Sequence, residues 1–83
     1  MKQHDFSKEE INDFYKKIGE TVKIHRTLKG FSQLQLSYAM GYSSVSLVSA
    51  AELGKNGKHF NLEHLYKISK ILDISLQDLL QID

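Results

Sequence analysis

From Ile11 onward, apolar side chains recur every three or four positions: Ile11, Phe14, Ile18 and Val22, then His25 and Leu28. That is one stripe of a 3.6-residue period and predicts a long first helix. Ser7 and Glu10 stand in a capping-box pattern ahead of it, with Phe6 and Ile11 placed as a hydrophobic staple. Lys29-Gly30 ends it with a cation and a glycine. Gly19 interrupts the stripe. It marks either a close approach of another helix or a bend that sets residues 8–17 apart as an arm. Further on, Asn61 caps a helix with the stripe Leu62, Leu65, Ile68 and Leu72, and Asp73 sits at its left-handed end. Ser75 and Asp78 open a last short helix bearing Leu76, Leu79 and Leu80. No stretch alternates in the way a strand does, and there is no proline.

Between these outer helices lies the stretch around which the chain is organised, residues 32–54. Ser32 caps a short helix over 33–40, with Leu36 and Met40 facing inward and the small Ser37 where another helix crosses closely. Gly41 stops it. Ser43 or Ser44 caps a third helix, about residues 44–53, which runs out at Glu52 and Gly54. Two short helices around a tight turn are a device for setting one helix into a DNA groove. The fold predicted is all-α: a five-helix bundle with a helical N-terminal extension over residues 1–14 and a helix-turn-helix domain over 15–83.

Composition narrows the chemistry. Eighty-three residues make one small domain, and with no cysteine there are neither disulfides nor thiolate metal sites. No apolar run approaches the ~18 residues of a membrane span, and the charged start is unlike a signal peptide, so a cytoplasmic protein without a membrane partner is expected. The net charge of +1 is unevenly spread. Residues 21–60 hold Lys23, Arg26, Lys29, Lys55 and Lys58 against Glu52 alone, whereas both flanking segments are net acidic. The basic surplus coincides with the paired short helices, a modest footprint for a polyanion.

Several of these residues, in this order and spacing, resemble the phage-repressor and Cro-like (XRE-type) helix-turn-helix family. They are Ile18-Gly19-Glu20, Arg26, Ser32-Gln33, Leu36, Gly41, Glu52-x-Gly54 and Leu65-x-x-Ile68-Ser69-x-x-Leu72, followed by the tail from Leu72 to Leu80. The likeness covers about residues 15–80. It implies a five-helix repressor-like bundle that regulates transcription, acting as a homodimer on two half-sites of double-stranded DNA with its third helix in the major groove. It also implies that Gln33 meets a phosphate, that Ser43, Ser44, Val45, Ser46 and Ser49 take the groove-facing positions, and that Lys55, Asn56 and Lys58 meet the sugar-phosphate backbone. Arg26 and Glu52 would form a structural ion pair.

Two departures stand out. Gly41 to Glu52 spans eleven positions where the family usually has ten, and the extra residue is placed in the turn at Ser43-Ser44. The recognition helix also lacks Arg, Lys, Asn and Gln, the side chains that make bidentate contacts to guanine and adenine. Specificity would then lean on DNA shape and dimer spacing. Leu34, Tyr38 and Leu47, the first two four apart on one face, together with Phe6, Phe14, Tyr15 and Tyr66, offer apolar surface instead. A second reading follows from them: the same fold reused as a protein-interaction module. His59 and His64 are spaced wrongly for one helical face and have no third ligand, so no metal is expected. No nucleophile, paired-carboxylate or phosphate-loop motif suggests an enzyme, and no cofactor is implied.

Overall fold

The computed structural model describes residues 3–82. They form five α-helices and no strand: α1 (Lys8–Leu28), α2 (Gln33–Ala39), α3 (Ser46–Leu53), α4 (Leu62–Leu72) and α5 (Leu76–Leu79), with a 3-10 turn at Lys55–Gly57 between α3 and α4. The all-α, five-helix class predicted from the hydrophobic pattern is the one observed. The core gathers one face of each helix: Ile18 and Val22 of α1, Leu36 of α2 with Met40 beyond it, Val48 and Ala51 of α3, Leu65, Ile68 and Leu72 of α4, and Leu79 of α5. Phe60 completes it from the loop before α4.

α1 runs unbroken for 21 residues, through Gly19 and across the boundary drawn at residue 14. The arm considered for residues 8–17 is therefore the first half of one helix. Gly19 is a point of close approach: a Cβ built on it would lie 2.5 Å from the Ala51 carbonyl oxygen and 2.7 Å from that of Glu52. The buried face of α1 is Ile18, Gly19, Val22 and Arg26. Steps of three residues from Val22 to His25 and on to Leu28 each turn about 60° off that face, which leaves Leu28 76% exposed rather than in the stripe. Phe14 sits off the face in the same sense, and Ile11 lies on it but ahead of the bundle; both are exposed. Phe6 is exposed as well. Ser7 accepts from the Glu10 N–H at 3.0 Å, which is half of the predicted capping box.

The later caps are complete. Ser32 Oγ accepts from the Gln35 N–H at 2.9 Å, and Gln35 Oε1 accepts from the Ser32 N–H at 2.8 Å. Asn61 Oδ1 accepts from the His64 N–H at 2.8 Å, and His64 Nδ1 accepts in return from the Asn61 N–H at 3.0 Å. Leu62, the first residue of α4, is 71% exposed at the end of the bundle, so the core stripe of α4 begins at Leu65. Asp73 closes α4 in the left-handed conformation, φ 54°.

The second of these caps makes the fold pH-sensitive. To accept a hydrogen bond, Nδ1 of His64 must carry a lone pair, so the cap needs neutral imidazole. Burial lowers the His64 pKa from its ordinary 6.5, with Lys67 and His59 acting in the same direction and Glu63 against it. The folded chain thus binds this proton less tightly than the unfolded chain does. The stability His64 contributes is present above about pH 6.5 and is lost as the pH falls through the lower, folded-state pKa. Thermal melts followed by circular dichroism should show a loss of Tm between neutral and mildly acidic pH that is smaller in His64→Gln, whose amide can fill the same cap without titrating. Equal pH dependence in the two proteins would refute the assignment.

Candidate nucleic-acid interface

The short helices α2 and α3 are held by one polar cluster. Glu52, on the inner face of α3 and 3% exposed, accepts from Arg26 Nε at 2.6 Å through Oε2 and from Arg26 Nη2 at 3.1 Å through Oε1. The same Oε1 accepts from Gln33 Nε2 at 2.9 Å. Arg26, 9% exposed, also donates from Nη1 to the Phe31 carbonyl at 2.7 Å. One carboxylate thereby joins α1, the loop before α2, the first residue of α2 and the end of α3. A guanidinium suits this role because its planar fork can serve a carboxylate and a carbonyl at once.

The turn between α2 and α3 starts at Gly41, φ 97°, and the Tyr42 N–H donates back to the Ser37 carbonyl at 2.9 Å. The extra residue is taken up here: α3 begins at Ser46, two positions later than expected. Neither Ser43 nor Ser44 caps it. The cap position is Val45, in a helical conformation and with no side-chain hydrogen bond, while Ser44 Oγ accepts from the Ser46 N–H at a long 3.4 Å. Val48, Ala51 and Glu52 point inward. At 100° per residue the opposite face carries Ser46, Ser49, Ala50 and Leu53. Ser46 is exposed, Ser49 and Ala50 are half-buried, and Leu53 is 59% exposed. Leu53 extends the apolar outward face; in the sequence it marked only the approximate end of the third helix.

The candidate residues thus fall into two groups. Ser43 and Ser44, both exposed, and the half-buried Val45 stand with Ser46 at the start of α3. Lys55, Asn56 and Lys58, all exposed, stand past its other end, about 12 Å away along an eight-residue helix. Gln33 is half-buried and connects to the second group's end of α3 through Glu52. Asn56 takes a left-handed conformation, φ 55°, next to Gly57 at φ 74°, which folds the loop into a tight 3-10 turn. From residue 32 to residue 58 the chain has one carboxylate, Glu52, and its charge is enclosed with Arg26. The two short helices and the loop after them therefore present no exposed negative side chain.

The helix-turn-helix family pattern matches residues 22–79. The chain belongs to that family, in its XRE-type branch. Among solved structures, it is similar to the restriction-modification controller protein C.AhdI from Aeromonas hydrophila. The two are 31% identical, over 81% of this chain and 96% of that one, with a TM-score of 0.67. A comparison with curated proteins finds no match. No helix among the described residues is long and apolar enough to cross a membrane.

Proposed function

We propose that this DNA-binding transcriptional regulator sets α3 into the major groove as one half of a homodimer. Gln33 and the loop Lys55–Asn56–Lys58 would hold the sugar-phosphate backbone on either side. The observation that carries this reading is the charge of the surface: exposed lysines follow α3, and the one carboxylate from residue 32 to residue 58 is buried against Arg26. The likeness to a restriction-modification controller supports a regulatory role. Family membership supports the placement of the third helix.

The groove face decides what kind of binding this is. Serine hydroxyls at 43, 44, 46 and 49 donate or accept with nearly any base edge, and Val45 can touch a thymine methyl group. Each bidentate pair that is missing forgoes ~1–3 kcal/mol of discrimination. Backbone contacts therefore supply the affinity, and DNA shape and half-site spacing supply the selectivity. Fluorescence anisotropy against random duplex, between about 50 and 200 mM salt, should show affinity falling steeply as salt rises. Ser46→Glu sets a negative charge on the groove face and should weaken binding by at least about tenfold, since a like-charge contact costs several kcal/mol, with an unchanged melting curve. Sedimentation of the complex should report two chains per duplex.

One observation favours a second reading, binding of a protein. A groove of about 630 Å³ opens between the first half of α1 and the start of α4, lined by Phe14, Tyr15, Ile18, Phe60, Leu62 and Leu80. Leu34 and Tyr38 are also exposed. No duplex binding at low salt, or a flat salt response, would replace the DNA reading with this one.

A further inference from the structure

The first half of α1 precedes the matched family region, which begins at residue 22, yet it grips the loop after α3 at both ends. At the near end Gly54 lies over α1: a Cβ there would be 3.5 Å from both Cα and Cβ of Lys16 and 3.8 Å from its Cγ. Gly54 has φ 65°, a conformation that favours glycine, and the Lys16 backbone and stem lie within ordinary contact range of it. At the far end the His59 ring stacks face to face on Tyr15, with centroids 3.7 Å apart and 17° between planes. Residues 54–59 are thus held between two adjacent side chains of α1. Lys55, Asn56 and Lys58 lie on the short arc between the two grips.

Lys16 is exposed, as are Lys55 and Lys58. The ion pairs among the described residues are Lys17 with Asp13, Lys67 with Glu63 and Arg26 with Glu52. Lys16, Lys55 and Lys58 are in none of them. Glu20, one turn along α1 from Lys16, forms no pair with it, and Asp13 is engaged by Lys17. Three exposed cations with no carboxylate partner among the described residues therefore gather past the end of α3. In the linear sequence two of them seem to belong to the basic middle segment and the third to the net-acidic start.

We propose that Lys16 is a further DNA-backbone contact, joined to Lys55 and Lys58 in one phosphate-binding cluster, and that the Tyr15–His59 stack positions this cluster. The partner chemistry is duplex phosphate. A flexible ammonium on a long stem suits a point contact with phosphate, and three such contacts need no base reading. The inference rests on the proposed DNA reading, and the experiment separates the two.

Binding to random duplex is measured over a range of salt for the full chain and for Lys16→Gln, Lys8→Gln, Tyr15→Leu and the double variant Lys55→Gln/Lys58→Gln. Each lost phosphate contact should reduce the slope of log K against log salt by about 0.9. Lys16→Gln should lose about that much. Lys8→Gln, which removes the same charge about 12 Å earlier on the same helix, should lose none. Tyr15→Leu keeps apolar bulk against the core but removes the stack. It should shift the His59 ring-proton resonances and weaken binding, with the melting curve retained. An unchanged slope in Lys16→Gln, beside a loss of about two in the double variant, overturns the inference and leaves the DNA reading standing. Unchanged slopes in every variant overturn both. An equal loss in Lys8→Gln and Lys16→Gln reduces Lys16 to a general charge effect and also overturns the inference.

Discussion

Glu52→Ala is expected to destabilise the protein by about 3–5 kcal/mol, the usual result of removing one partner of a buried ion pair. The carboxylate has three donors: two from Arg26 and one from Gln33. Without it a guanidinium remains enclosed with only the Phe31 carbonyl to receive it. A chain of this length has roughly 4–12 kcal/mol of total stability, so the loss takes a large share of it. Urea titration should show the midpoint falling in proportion, with the slope of the transition retained. Arg26→Ala should fall in the same range, because it leaves the carboxylate with the Gln33 amide alone. Arg26→Lys should recover little, since one ammonium cannot reach both carboxylate oxygens and the Phe31 carbonyl together. The discriminating variant is Arg26→Met/Glu52→Leu. If the charges matter because each needs the other, removing both should restore most of the stability. If the double variant is as unstable as the single ones, the pair contributes net attraction beyond mutual compensation.

That carboxylate also ties stability to the proposed function. Gln33 opens α2 and is bonded to Glu52, so loss of Glu52 frees the amide proposed to meet a phosphate. Reduced DNA affinity in Glu52→Ala would therefore follow even at temperatures where the variant stays folded.

How far the sequence revealed this arrangement depended on whether the interaction was local. Ser32 was legible as a cap, and it is one, with Gln35 three residues on adding an unread reciprocal half; Gly41 turns where a helix had to stop. Asn61 was legible as a cap, and it is one; the reciprocal half from His64 was just as local but went unread, because that partner is ordinarily Glu or Gln. Arg26 and Glu52 are 26 positions apart; no periodicity joins them, and the family resemblance suggested the pair. Phe60 and the Tyr15–His59 stack had neither periodicity nor resemblance behind them. Phe60 lies outside every helix, and its burial follows from where the loop returns to the core. Tyr15 looked like exposed apolar surface, and His59 like a loop residue, until the path of residues 54–59 brought the rings together. At the candidate interface, the composition of α3 was readable residue by residue. Its start was not, since the extra position in the turn could be absorbed before the helix or within its first turn.

Gly19 is where these local and distant constraints meet, and Gly19→Ala should be the most damaging change outside the Arg26–Glu52 ion pair. In an isolated helix alanine would be favoured by about 1 kcal/mol. Here its Cβ would lie 2.5 Å from the Ala51 oxygen and 2.9 Å from the Glu52 carbonyl carbon. These are backbone atoms in the last turn of α3, so no side chain can swing aside. α1 and α3 must separate, and that displaces Glu52 from Arg26. Overpacking of this kind costs about 1–3 kcal/mol, and the weakened ion pair adds to it, so a net loss of about 2–4 kcal/mol is expected despite the better helix former. In the background that already lacks Arg26 and Glu52 the same substitution should cost less, since only the steric part remains. A double-mutant cycle by urea unfolding measures that difference. A cost equal in both backgrounds would mean that α3 tilts without disturbing the pair. A neutral or stabilising Gly19→Ala would show that the close approach of α1 to α3 is not needed to hold the interface helix in place.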